Sequence, residues 1–208
     1  MKFKKVVLYI LVLVFVFAFS YLLSENKKMR DEMLLKDGYL ENLSSNYYAA
    51  VPQIKLNFEN CGKRINIDCL VKDTAKNEIK LSEFVKKMGN RIMVCRYSAK
   101  YCQECVSHAI KVVQDSINSF DLSKILFIAD NSDSRTFKLQ MREYGLQNYN
   151  VVNCGDLGIP AEKVMFPYYA VIDSNFTVIS TYFPNKSTRG TDFDFKNLKF
   201  MYDNLINL

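Results

Sequence analysis

Several things are missing from this 208-residue chain. It has no internal repeat and no low-complexity tract, so it reads as neither a solenoid nor a tail of biased composition. It holds a single histidine, His108, which excludes a metal centre built from several imidazoles. No block of Lys and Arg is interleaved with aromatics. The formal net charge of +6 is modest, and part of it flanks an N-terminal apolar run, so nucleic acid is not an expected partner. No small-x-small site ends that run. The nearest, Ala18-Phe19-Ser20, lies inside it, and no cysteine stands close by to take a lipid.

What is present first is the run itself. Lys2, Lys4 and Lys5 precede an uncharged stretch from Val6 to Leu23, rich in Val, Leu and Phe. Roughly 20 such residues span a bilayer when helical. The missing cleavage site favours an uncleaved anchor over a cleaved signal peptide, which is the competing reading. A short basic N-terminus ahead of one anchor usually stays in the cytoplasm. The expectation is therefore a single-pass protein of a bacterial cytoplasmic (inner) membrane, with its soluble part facing the periplasm or the outside. The division expected is an anchor over 1–25, a juxtamembrane linker over 26–52 and a domain over 53–208, the last near the modal domain size. In the linker, Met29, Met33, Leu34, Leu40 and Leu43 fall at roughly helical spacing. Breaks are expected at Ser44-Ser45-Asn46 and at Pro52.

In the domain the period of the apolar pattern switches repeatedly. Ile65–Val71 alternates as an early strand, Asp73–Asn77 reads as a turn, and Ile79–Leu81 as a short strand. Ser82–Met88 is a short helix stopped by Gly89-Asn90. Ile92–Tyr97 is a buried strand, Glu104–Phe120 a helix, Lys124–Ala129 a strand and Asp133–Tyr144 a helix. Asn150–Asn153 is a strand, Tyr168–Asp173 and Thr177–Tyr182 a hairpin, and Asp192–Leu205 a closing helix. Strands alternating with helices imply parallel pairing, to which the late hairpin adds antiparallel strands. The fold class expected is α/β, a central mixed sheet flanked by helices.

Cys102-Gln-Glu-Cys105 lies between the strand ending near Tyr97 and the next helix. Cys102 is thus expected at a helix N-terminus and Cys105 one turn inside. Unpaired N–H groups and the positive end of the helix dipole favour a thiolate there. Cys105 then stands close enough to resolve a mixed disulfide formed at Cys102, the chemistry of thiol–disulfide exchange.

Three stretches together carry a resemblance. They are Ile92–Cys105, a hydrophobic strand with an aromatic just before CxxC; Phe166-Pro167-Tyr168-Tyr169-Ala170-Val171-Ile172-Asp173, a proline opening an apolar strand; and the lead-in Asn77–Asn90. Over about Gln53–Leu208 the chain resembles the membrane-anchored thioredoxin-like thiol–disulfide oxidoreductases and their peroxiredoxin relatives. The resemblance implies a thioredoxin-like fold. It implies an enzyme whose catalytic pair is Cys102 and Cys105, with Tyr101, Phe166 and a cis Pro167 lying against the substrate. It also implies protein disulfides as substrates, electrons from a membrane redox partner, and no organic cofactor or resident metal.

There are departures. Tyr101 stands where the family has Trp, and Arg96 where it often has a buried carboxylate or amide. A buried arginine needs a partner, and near the motif it would lower a thiol pKa, whereas Glu104 would raise one. Among the other cysteines, Cys95 reads as a buried hydrophobe. Cys61 and Cys69 could pair with each other, and Cys154 could be free or pair with either. Two alternatives stand beside the enzyme. One is a binding module that keeps the fold. The other is a copper or zinc chaperone using the C-x2-C-x2-H spacing that ends at His108.

Overall fold

The computed structural model describes residues 2–66, 68–72, 78–184 and 190–206. Two compact units are present, Met1–Ala50 and Val51–Leu208.

The first unit is helical. Helix α1 is assigned from Lys2 to Asn60. Apolar side chains from Leu13 to Leu23 are exposed along it, with Phe15 and Phe19 stacked one turn apart. Among the described residues, no helix is long and apolar enough to cross a membrane. The start of the run Val6–Leu23 falls on residues 6–12, whose side chains lie outside the description. The breaks expected at Ser44-Ser45-Asn46 and Pro52 do not occur, since α1 passes both. A proline costs a helix one hydrogen bond and crowds the preceding turn. From Val51 on, the end of α1 belongs to the second unit and is held within it. Gln53 Nε2 donates to Thr181 O (2.9 Å), and Gln53 Oε1 accepts from Phe183 N (2.9 Å). Asn57 Oδ1 accepts from Thr181 N (2.7 Å), and Asn60 Oδ1 from Ala161 N (2.8 Å). The three amides recur at i, i+4 and i+7; Gln53 and Asn57 satisfy the outer edge at β7, and Asn60 holds the 3₁₀ turn at Ala161.

The second unit is built on one seven-stranded mixed sheet. Its strands are β1 (Leu70–Lys72), β2 (Glu78–Lys80), β3 (Arg91–Ser98), β4 (Ile125–Asp130), β5 (Asn150–Asn153), β6 (Tyr168–Asp173) and β7 (Val178–Tyr182), in the order β2-β1-β5-β4-β3-β6-β7. β3, β4 and β5 run parallel; β6 and β7 are antiparallel to their neighbours, as are β1 and β2. Alternation along β3 divides the core. Met93, Cys95 and Tyr97 face α3 (Gln103–Asp115), α4 (Ser134–Glu143) and α5 (Gly190–Met201) through Val106, Ala109, Ile110, Phe137, Met141 and Leu198. Ile92 and Val94 face α2 (Leu81–Met88) and the turn after β5 through Leu81, Val85, Ile159 and Ala161. Each fully buried aliphatic stabilises by about 1.5–3 kcal/mol relative to exposure. Buried on both faces, β3 gives the turn at its carboxyl end and the start of α3 a fixed base.

The expected elements recur with shifts at their ends. The segment 61–66 does not join β1. It runs beside the hairpin instead, with Ile65 N donating to Phe176 O (3.0 Å) and Arg64 bridging Thr177, so the strand expected over Ile65–Val71 shrinks to Leu70–Lys72. Ile67 and the turn expected at Asp73–Asn77 lie outside the described residues. Helix α3 stops at Asp115, where Ser116 Oγ donates back to Val112 O (2.5 Å) and competes with the next helical bond. Asp133 caps α4, its Oδ1 accepting from Arg135 N and Thr136 N at 2.8 Å each. The hairpin turns through Phe176 at φ 63, with Asp173 Oδ1 accepting from Asn175 N and Thr177 N.

The cysteine pairing left open by the spacing is settled by the sheet. Cys69 and Cys154 are joined, 85 residues apart in sequence, while Cys61 is an exposed free thiol. A bridge between Cys61 and Cys69 is thereby excluded. Residues 61–66 run along the hairpin while Cys69 precedes β1, whose Lys72 pairs with Asn153, and this register brings Cys69 to Cys154.

Candidate active site

The three parallel strands deliver their carboxyl ends to one edge of the sheet, with Ser98 opposite Asp130 and Ala129 opposite Asn153. After β3 the chain turns at once. Tyr101 N donates to Ser98 O (3.1 Å) and Lys100 N to Ser98 Oγ (3.1 Å), while Ser98 Oγ donates to Asp130 O (3.1 Å) and Lys100 Nζ pairs with Asp130 Oδ2 (3.2 Å). This turn sets Cys102 at the N-cap of α3, its carbonyl accepting from Val106 N at 3.0 Å. Cys102 is exposed, Cys105 half-buried, and neither is in a disulfide.

The helix start governs the reactivity of Cys102. Its pKa is lowered, first by hydrogen bonding from the Cys105 thiol, then by the amide of Cys105, with the amide of Glu104 adding to them. The Glu104 carboxylate works against these, as its charge predicts. The exposed thiol is therefore acidified, and the second thiol donates to it. This division of labour suits an attacking sulfur and a resolving sulfur. The adjoining Gln103 reaches α4, donating to Glu143 Oε1 at 2.9 Å.

Tyr101 is buried, at 8 % exposure, so little of its ring is presented to a partner. Burial, then the charge of Glu162, pushes its hydroxyl up to about 12, with Arg96 opposing. Phe166 and the preceding Met165 are exposed. Arg96 pairs with Tyr168 across β3 and β6, so Pro167 and Phe166 continue that register toward the end of β3. The Phe166–Pro167 bond is trans, against the cis bond expected from the resemblance. The reversal into β6 is made upstream, by the 3₁₀ turn Pro160–Val164 and by Met165 in the left-handed region at φ 58.

Arg96 is fully buried and uses its whole donor set. Nε donates to Glu162 Oε1 (3.0 Å) and Nη2 to Glu162 Oε2 (2.7 Å). Nη1 donates to Ala129 O (3.1 Å) and Cys154 O (2.9 Å), and Nη2 also to Gly155 O (2.7 Å). Glu162 accepts in addition from the Tyr168 hydroxyl. The guanidinium charge is thus matched by a carboxylate, and the pair ties the ends of β3, β4 and β5 to the turn before Phe166-Pro167. The need for a partner was legible in the sequence; its identity, 66 residues on, was not.

His108 lies one turn below Cys105. Its Nε2 meets Asp194 Oδ2 at 2.5 Å, and Asp194 Oδ1 accepts from the Tyr182 hydroxyl. Asp194 is fully buried. Among the described residues no group of three or more His, Cys, Asp or Glu could hold a metal ion. The C-x2-C-x2-H spacing therefore does not become a ligand set, because the imidazole is turned to α5. Sequence reasoning missed Asp194 and Tyr182 altogether, since nothing in the pattern of α5 links them to the motif.

No family model matches the chain, and no curated protein matches it. Solved structures do. A proposed protein disulfide isomerase of Bacteroides thetaiotaomicron matches with a TM-score of 0.52 at 12% identity, over 73% of this chain and 93% of that one. A thiol:disulfide interchange protein from a Bacteroides species matches at 0.43 and 14% identity, over 71% and 91% of the two chains. The thioredoxin domain of a thiol-disulfide oxidoreductase from Bacteroides vulgatus matches at 0.44 and 15%, over 68% and 96%. The first of these, together with the strand order of the sheet, shows a thioredoxin-like fold.

Proposed function

We propose that the chain is a thiol–disulfide oxidoreductase in which Cys102 attacks a protein disulfide and Cys105 resolves the product. The observation that carries this reading is the helix-start pair itself: an exposed Cys102 with a lowered pKa, receiving a hydrogen bond from a half-buried Cys105. The thiolate of Cys102 forms a bond to one substrate sulfur and expels the other. The thiolate of Cys105 then attacks Cys102, expels the second substrate sulfur, and leaves a Cys102–Cys105 disulfide. Two electrons pass from the pair to the substrate. Exposed Phe166, beside Pro167 at the same end of the sheet, supplies an apolar contact for the substrate chain.

In this reading the substrates are exported proteins. The chain is tethered by its N-terminal segment to the cytoplasmic membrane with the domain outside, and a membrane partner returns the electrons. The Cys69–Cys154 bridge supports an oxidising compartment, and the basic-then-apolar N-terminus supports the tether.

The test is reduction of insulin by dithiothreitol with the full-length chain added in catalytic amount. Acceleration that is lost in both Cys102→Ser and Cys105→Ser is the expected result. No acceleration by the parent chain contradicts the reading and leaves a binding module on this fold.

A further inference from the structure

The exchange as described above leaves one buried acidic side chain without a role. Asp194 of α5 is fully buried, and a buried polar group needs hydrogen-bond partners. Its two oxygens are taken by His108 of α3 and Tyr182 of β7. Asn197 Nδ2 donates to the same tyrosine hydroxyl (3.4 Å). The neighbouring Tyr169 of β6 stacks on Tyr182 with ring centroids 6.2 Å apart and donates to Ala109 O (2.6 Å). Burial pushes both tyrosines upward, so they remain neutral donors, and Asp194 is the acidic side chain that meets the imidazole. His108 comes three residues after Cys105, which puts both on one face of α3. With Nε2 on Asp194, Nδ1 has no hydrogen-bond partner among the described residues.

We propose that His108, oriented by Asp194, accepts the proton of Cys105 in the second half of the exchange. This rests on the exchange reading and goes beyond it. In the resting dithiol the Cys105 thiol donates to Cys102. Once Cys102 is bonded to a substrate sulfur, it no longer carries the charge that received this bond. Cys105 then gives its proton to Nδ1 of His108, and its thiolate attacks the Cys102 sulfur. The bond from Cys102 to the substrate breaks, and the departing thiolate takes the proton back from the imidazolium. The dithiol is oxidised by two electrons, one substrate disulfide becomes two thiols, and His108 ends neutral. Asp194 acts through His108 and is a positioning residue.

The experiment is stopped-flow release of thionitrobenzoate from 5,5′-dithiobis(2-nitrobenzoate) by the reduced full-length chain. It is done in a Cys61→Ser background, because Cys61 is an exposed free thiol. The first release reports attack by Cys102. The second, independent of reagent concentration, reports attack by Cys105. At about pH 6.5, His108→Gln slows the second release roughly 10²-fold and leaves the first unchanged, the size expected of a lost general base. The gap narrows as pH rises, because hydroxide increasingly replaces the lost base. Added imidazole restores the second release in His108→Ala, and Asp194→Asn gives a partial loss with the same pH recovery. Equal second phases in parent and His108→Gln overturn the proposal. So does a slowing of both phases that neither pH nor imidazole corrects, which is the mark of a structural role. A parent chain that releases no second thionitrobenzoate at any pH sinks the exchange reading itself, and the proposal with it.

Discussion

Removing Glu162 tests what holds the two sides of the site together. Its carboxylate accepts from Arg96 Nε at 3.0 Å, from Arg96 Nη2 at 2.7 Å and from the Tyr168 hydroxyl. Hydrogen bonds to charged groups contribute about 1.5–3 kcal/mol each, so three of them set an upper limit near about 4.5–9 kcal/mol. Arg96 keeps its three carbonyl acceptors in Glu162→Ala, and Glu162 is 11% exposed, so water can reach part of the gap. The expected loss is therefore that of a broken buried pair, about 3–5 kcal/mol. That is a large part of the roughly 5–15 kcal/mol of an ordinary domain. Removing both charges with Arg96→Met and Glu162→Leu costs less than Glu162→Ala alone, because no unpaired ion is left inside. Guanidinium denaturation of the full-length chain measures this as a fall in midpoint at constant slope. If Glu162→Ala costs under about 1 kcal/mol, or if the double variant is the worse of the two, the argument from an unpaired guanidinium is refuted.

Other outcomes are expected from the same structure. The rate of Cys102 alkylation by iodoacetamide rises with pH and levels off below the ordinary thiol range, because its folded pKa is lowered; Cys105→Ala moves that midpoint up and Glu104→Gln moves it down, each read from thiolate absorbance. Replacing Cys69 and Cys154 by Ser lowers stability by up to about 4.5 kcal/mol, the loop entropy of a bridge spanning 85 residues. A loss that is absent under non-reducing denaturation contradicts that bridge. Asn57→Leu strands Thr181 N on the outer edge of β7 and costs about 1–3 kcal/mol, seen as faster amide exchange along that strand.

Legibility tracked the range of the forces. β5 and β6 appear at their expected bounds, Asn150–Asn153 and Tyr168–Asp173, because short apolar runs between turn signals leave the backbone few alternatives. β3 was legible for the same reason, and the place of Cys102 at the start of α3 came with it. What failed depended on partners distant in sequence. The alternation Ile65–Val71 suits a strand, but Gly62, Ile65 and Asn66 bond to the hairpin and to Leu157 instead. Pro52 marks a break by local rules, yet α1 continues because Gln53, Asn57 and Asn60 find acceptors and donors on β7 and at Ala161. The pairing of Cys69 with Cys154 depends on the register of β1 on β5, which no spacing encodes. Arg96 was singled out for its effect on the thiols. In the fold its charge meets Glu162, and the imidazole beside the motif is turned to a carboxylate on the last helix.

The most direct test of the account is equilibration of the full-length chain with graded mixtures of reduced and oxidised glutathione, quenched with an alkylating mass tag. The account predicts one two-electron transition confined to Cys102 and Cys105, with Cys69–Cys154 oxidised throughout. It also predicts a glutathione adduct that accumulates on Cys102 when Cys105 is replaced by Ser. A pair that stays reduced or oxidised across the whole series, or an adduct found on Cys61 and not on Cys102, contradicts it.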